Sequence, residues 1–257
     1  AMSKHRIFGS LAMAACCLVL SACGQWTSAQ SVPTTQVVVT TTTEPEVISA
    51  SGQRSGVATK AAQKKLLSLG FWLLTTNGEY DETTRQAVMA FQKYYQLRPT
   101  GSMNNATAFL LNKLDVRPQA QATEGTLAEV DKERQLLFLV EEGVTKYVIN
   151  ASTGDDRAYV EPDMNTPGVL IRGTAITPVG KFKTNRERPD GWWVGDLGQI
   201  YRPKYFIGGV AIHGSQTVPA YPASHGCVRV TTAAMDMIWE SGLLPLGSDV
   251  VVYGELS

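Results

Sequence analysis

Residues 212–229 read IHGSQTVPAYPASHGCVR, and this one stretch holds His213, His225 and Cys227, with Gly214 and Gly226 directly after the histidines and Arg229 close behind the cysteine. A cysteine nucleophile needs a base for its proton, a group that orients the base, and donors for the oxyanion formed when a carbonyl is attacked. The stretch can supply each part. The apolar run Val210 to Ile212 predicts a strand, which places His213 at a strand end, and Cys227 lies beyond a loop able to fold back over it. A free thiol titrates near about 8.5, so a neighbouring imidazole is what makes thiolate accessible at neutral pH. Gly226 lets backbone approach a substrate, and the N–H groups of Gly226 and Cys227 are candidates for the oxyanion. Arg229 shares a strand face with Cys227 and suits a carboxylate, which its guanidinium can grip with two parallel bonds.

The rest of the sequence bounds the setting. Of 257 residues 44% are apolar, enough for one or two cores, and 23 basic residues balance 23 acidic ones, which argues against nucleic acid as a partner. Lys4, His5 and Arg6 precede an apolar run from Ile7 to Leu20, the layout of a signal peptide (1–22) that is short for a bilayer span. The run ends in Leu20-Ser21-Ala22-Cys23, which resembles a bacterial lipobox and implies lipidation of Cys23. Cys16 and Cys17 would leave with the signal, so Cys227 would remain unpaired in an oxidising compartment, a candidate reactive group.

Residues 23–57 are rich in Thr, Ser, Gln and Val without periodicity and read as a disordered tether. From 58 to 116 the pattern becomes helical, with Ala62, Leu66, Leu67 and Leu69, then Ala87, Val88, Phe91 and Tyr95. A weak internal repeat accompanies it: Gly78, Tyr80 and Thr84 match Gly101, Met103 and Thr107, each copy reading as a tight turn with threonine as the cap of a helix. Beyond a polar join at 118–126, short strands are expected at 135–140, 146–150, 181–184, 210–212 and 249–253, with one helix capped by Thr231 or Thr232 and ended by Gly242.

The helical segment, through Leu69-Gly70-Phe71, Gly78, Tyr80, Thr84, Ala87, Phe91-Gln92 and Gly101, resembles the three-helix peptidoglycan-binding domain, with Asp81 where that pattern has glycine. The later segment, through His213-Gly214, Ser224-His225-Gly226-Cys227-Val228-Arg229, Thr177 to Phe182 and Ile207 to Ile212, is similar to the catalytic domain of YkuD-type L,D-transpeptidases. The resemblance implies a multidomain chain, a small three-helix domain at 58–116 and a mainly β catalytic domain at 126–254. It further implies that Cys227 attacks the amide after the diamino acid of a peptidoglycan stem, releases D-alanine and passes the acyl group to an amine. In that reading His213 is the base, the Gly214 carbonyl orients it, and His225 and Gly226 form the oxyanion and substrate wall. Arg229, Ser224 and Tyr205 contact substrate. No cofactor or metal is needed. The expected partners are stem peptides, glycan and, through the anchor, a membrane, with the protein a monomer at the extracytoplasmic face. Hydrolysis by the same cysteine, a zinc hydrolase, a papain-like wall peptidase and an idle wall-binding lipoprotein are the competing readings. The helical segment is expected to be separable from the chemistry.

Overall fold

A computed structural model describes residues 47–256. The signal, the lipobox with Cys23 and most of the tether lie outside them. Three helices come first, α1 (Val57–Ser68), α2 (Glu82–Tyr94) and α3 (Asn105–Lys113). Twelve strands and a fourth helix follow: β1 (Leu127–Asp131), β2 (Leu136–Glu141), β3 (Val144–Asn150), β4 (Ala158–Pro162), β5 (Leu170–Thr174), β6 (Gly180–Lys183), β7 (Arg186–Glu187), β8 (Trp192–Gly195), β9 (Gly198–Ile207), β10 (Val210–Ser215), β11 (Val228–Thr231), α4 (Thr232–Ser241) and β12 (Asp249–Tyr253). The expected helical region and mainly β region are both present.

The repeat in the helical region rests on two buried glutamines, Gln63, which the sequence pattern did not single out, and Gln92 of the Phe91-Gln92 pair. Gln63 Oε1 accepts the Gly78 N–H at 2.8 Å, and its amide donates to Thr84 Oγ1 at 2.8 Å. Gln92 Oε1 accepts the Gly101 N–H at 2.9 Å, and its amide donates to Thr107 Oγ1 at 2.9 Å. Both glycines have positive φ, 97° and 65°, as expected. The threonines are not the caps. Asp81 and Asn104 are, accepting the N–H of Thr84 and Thr107, so each helix starts one turn earlier than the threonines suggested. Asp81, which departs from the family pattern, therefore has a defined role.

The strand β2 decides the architecture. Its run Leu136 to Val140 is apolar throughout, and every residue in it is fully buried. Successive side chains on a strand point to opposite faces. Leu136, Phe138 and Val140 join Phe71, Phe91 and Leu66 in one core, while Leu137 and Leu139 join Ile212, Val228 and Met235 in another. A strand covered on both faces reads as a continuous apolar run for that reason. The sheet β3-β2-β1-β12-β6 is thus the middle layer, with α1–α3 on one side and, on the other, α4 and the sheet β11-β10-β9-β7, onto which β8 pairs.

The helical segment is consequently not a separable module. It shares its core with the first sheet, and the described residues form one compact unit. Polar contacts reinforce the join: Lys93 Nζ of α2 donates to the Gln135 and Ala151 carbonyls at 3.0 and 3.2 Å. At the other end of the chain, Thr231 caps α4 by accepting the Ala234 N–H, and Gly242 closes it in the left-handed region, as the sequence predicts. The segment from Asp155 through Glu161 runs into the hairpin β4–β5.

Candidate active site

The parallel pair β10 and β11 places the candidate reactive groups. His213 lies opposite Arg229 in the ladder, and Cys227 directly precedes β11. A register shift against β9 between Ile212 and Gly214 puts a bulge at His213. Bulges re-aim side chains. Gly214 is required there, because a Cβ would meet Tyr201 Cδ1 at 2.8 Å and Thr232 Cα at 3.0 Å. Its carbonyl oxygen lies 2.8 Å from His213 Nδ1. A carbonyl only accepts, so Nδ1 carries the hydrogen of the neutral ring and Nε2 keeps a free lone pair.

The turn before Cys227 is held from three sides. The Thr153 carbonyl accepts the N–H groups of Ala223 and Ser224 at 2.9 and 3.0 Å. Ser224 Oγ accepts the Gly226 N–H at 3.0 Å and donates to the Cys227 carbonyl. Thr177 Oγ1 donates to the Gly226 carbonyl at 2.6 Å and accepts the Gly154 N–H at 2.9 Å. Gly226 has φ of 130°, and a Cβ on it would meet the Ile176 carbonyl oxygen at 2.7 Å, so only glycine fits. Two expectations shift as a result. The Gly226 N–H, a candidate for the oxyanion, is occupied by Ser224, and the Ser224 hydroxyl, expected to meet substrate, is engaged inside the turn. Thr177 was visible only as part of a family match, since its partners lie far away in sequence.

Cys227 is half-buried, with Sγ 3.4 Å from the Ala211 N–H and 3.7 Å from the Gly209 carbonyl. Burial pushes its thiol above the ordinary range, against the smaller opposing pull of the Ala211 N–H and of Arg229. Burial likewise pushes His213 down to about 4, with Arg229 adding to the shift and the Gly214 contact opposing it. Both groups therefore rest neutral at pH 7. They line one cleft of about 720 Å³ with Tyr205, Ser224, His225 and Arg229, though no hydrogen bond joins Sγ to the imidazole.

Tyr205 is buried beneath the Arg186 guanidinium, 3.9 Å from its ring centre, and burial raises its phenol. His225 packs edge-on against Tyr159 at 4.8 Å between centroids, with Nε2 4.0 Å from Glu161 Oε1, so the β4–β5 hairpin holds it. Arg229 makes no ion pair among the described residues. Trp192 and Trp193 also line the cleft. Among the described residues no group of three or more His, Cys, Asp or Glu side chains stands together to hold a metal, and no helix is long and apolar enough to cross a membrane.

Comparison with known proteins agrees with this geometry. The family model for the L,D-transpeptidase catalytic domain (YkuD) matches residues 125–252, and that for a putative peptidoglycan binding domain matches residues 55–111. No curated protein sequence matches the chain. A solved L,D-transpeptidase structure from Stackebrandtia nassauensis is 21% identical, covering 81% of this chain and 95% of its own, at a TM-score of 0.44. The crystal structure of an L,D-transpeptidase from Xylanimonas cellulosilytica is 39% identical, covers 82% of this chain and 100% of its own, and superposes with a TM-score of 0.72. With that identity over the whole of the solved chain, and a catalytic-domain match spanning β10, β11 and both His213 and Cys227, the chain belongs to the YkuD-type L,D-transpeptidase family.

Proposed function

We propose that the chain is a cysteine-dependent peptidoglycan L,D-transpeptidase. The observation that carries this is the pairing of β10 with β11, which brings Cys227 and a neutral His213, its Nδ1 fixed on the Gly214 carbonyl, into one cleft. In the reaction His213 Nε2 takes the thiol proton as Sγ attacks the carbonyl of the amide that follows the third stem residue. The electron pair moves onto the carbonyl oxygen, where we assign the Cys227 N–H as a donor, the Gly226 N–H being occupied. Collapse breaks the C–N bond, and the departing D-alanine amine takes its proton from the imidazolium. A thioester remains on Cys227. An amine of a second stem then attacks it, gives its proton to His213, and restores the thiol as the new amide forms.

The three-helix region would hold the enzyme on peptidoglycan, and Cys23, outside the described residues, would carry a lipid that anchors it at the extracytoplasmic face. Arg229, Tyr205 and His225 contribute the walls of the donor site in this reading. Incubating the chain with a tetrapeptide donor should release D-alanine and add the acyl mass to Cys227 in intact-protein mass spectra. Cys227→Ala should show neither, and an adduct on that variant would end this assignment.

A further inference from the structure

Three arginines, Arg186, Arg188 and Arg229, line the cleft around Cys227, and among the described residues none of them is paired with a carboxylate. One acidic residue lines the same cleft, Asp196, whose Oδ1 accepts the Asn165 amide at 2.8 Å. This local excess of positive charge stands out in a chain whose formal net charge is zero. The guanidinium groups are also held in place. Arg186 lies over the Tyr205 ring and Arg188 over the Trp193 ring, each at 3.9 Å from the centroid. One Arg186 nitrogen is 3.3 Å from the Gly208 carbonyl, and the Arg188 Nε is buried without a partner. A stacked guanidinium is a pre-oriented fork that loses little freedom when it grips a carboxylate, and a buried donor left without an acceptor calls for one. Arg229 stands apart from these two, beside His213 on β11.

We infer that the donor site reads the free carboxylates of the stem and selects a third residue bearing its own side-chain carboxylate, unamidated diaminopimelate, over lysine or an amidated stem. The inference rests on the transpeptidase reading above. A tetrapeptide stem built on diaminopimelate presents a carboxylate at its C-terminus, one on the third side chain and one on the isoglutamate before it. A lysine stem lacks the second of these, and amidation converts a carboxylate to a neutral amide that a guanidinium holds more weakly. Arg229, next to the reactive pair, and the stacked Arg186 and Arg188, on and beside β7, give such a ligand anion partners in two separate parts of the cleft.

The test uses the unaltered full chain with three tetrapeptide donors, carrying diaminopimelate, its side-chain amide, or lysine, and reads D-alanine release and the acyl adduct on Cys227. The free diaminopimelate donor should lead in kcat/KM by about 10-fold to 100-fold, the worth of one hydrogen-bonded charge pair, mainly through KM. The lead should shrink in an Arg186→Gln/Arg188→Gln double variant, with alkylation of Cys227 by iodoacetamide reporting that its thiol site is intact. Equal rates on all three donors would overturn the selectivity while leaving the transpeptidase reading standing. No release from any donor by a protein whose Cys227 is alkylated normally would overturn that reading, and the selectivity with it.

Discussion

At Cys227 and His213 burial outweighs every other influence on the proton, and this sets two expectations. With His213 pushed down to about 4, its ring is an available base across the neutral range, so the acid limb of the acylation rate should lie near pH 4 rather than at the 6.5 of a free imidazole. His213→Ala should slow acylation by about 100-fold to 10,000-fold, the usual share of a positioned base. Because burial also raises the thiol, part of that loss should return only at pH above the ordinary thiol value of about 8.5. Stopped-flow acylation across pH reads both effects. The same depressed value has a thermodynamic side. Between pH 4 and 6.5 the unfolded chain protonates this histidine and the folded chain does not, so the unfolded state binds more protons and stability rises with pH. The shift corresponds to about 3 kcal/mol at most, at about 1.4 kcal/mol per unit. Urea unfolding at pH 4.5 and 7 should show a smaller difference in His213→Gln than in the wild type.

Helix α2 is tied to the loop that follows His213. Gln86 donates to the Val218 carbonyl at 3.0 Å and accepts from Asn150, while the Ser152 hydroxyl holds the Tyr221 carbonyl at 2.8 Å. The loop between His213 and Ser224 therefore closes onto both α2 and the chain leaving β3. Replacing Gln86 by leucine would leave the Asn150 amide only its long contacts to the Val218 and Pro219 carbonyls, at 3.4 and 3.5 Å, and would take a closer donor from Val218, at about 1–3 kcal/mol. Chemical denaturation should show that loss, together with slower acylation as the loop loosens, and Gln86→Glu should recover part of it by keeping an acceptor for Asn150.

Over the whole molecule, the shared core predicts that the catalytic region cannot be cut free cleanly. Deleting residues up to 116 would uncover Leu136, Phe138, Val140 and Val148, all fully buried. Full exposure costs about 1.5–3 kcal/mol for each such side chain, and four of them match the 5–15 kcal/mol that stabilises an ordinary domain. The truncated protein should melt well below the full chain or aggregate, as measured by calorimetry and light scattering. A truncated protein as stable as the parent would show that the helices are a detachable module after all.

Local geometry was legible in the sequence. The His213 and Cys227 pair, the turn glycines 78 and 101, the Thr231 and Gly242 ends of α4 and the strands β2, β3, β6, β10 and β12 follow from residue types and short-range spacing, because strand periodicity, caps and positive φ are properties of a few adjacent residues. Exposed strands such as β4, β5 and β8 escaped that reading, since they bury little and carry no apolar alternation. The functions of Thr177, Gln63 and Gln86, the engagement of Ser224 and the Gly226 N–H within the turn, the gathering of Arg186, Arg188 and Arg229, and the merging of the helical region with the sheet were decided by tertiary structure alone. Each depends on partners distant in the chain, and a buried hydrogen bond or a doubly covered strand exists only once packing has brought those partners together.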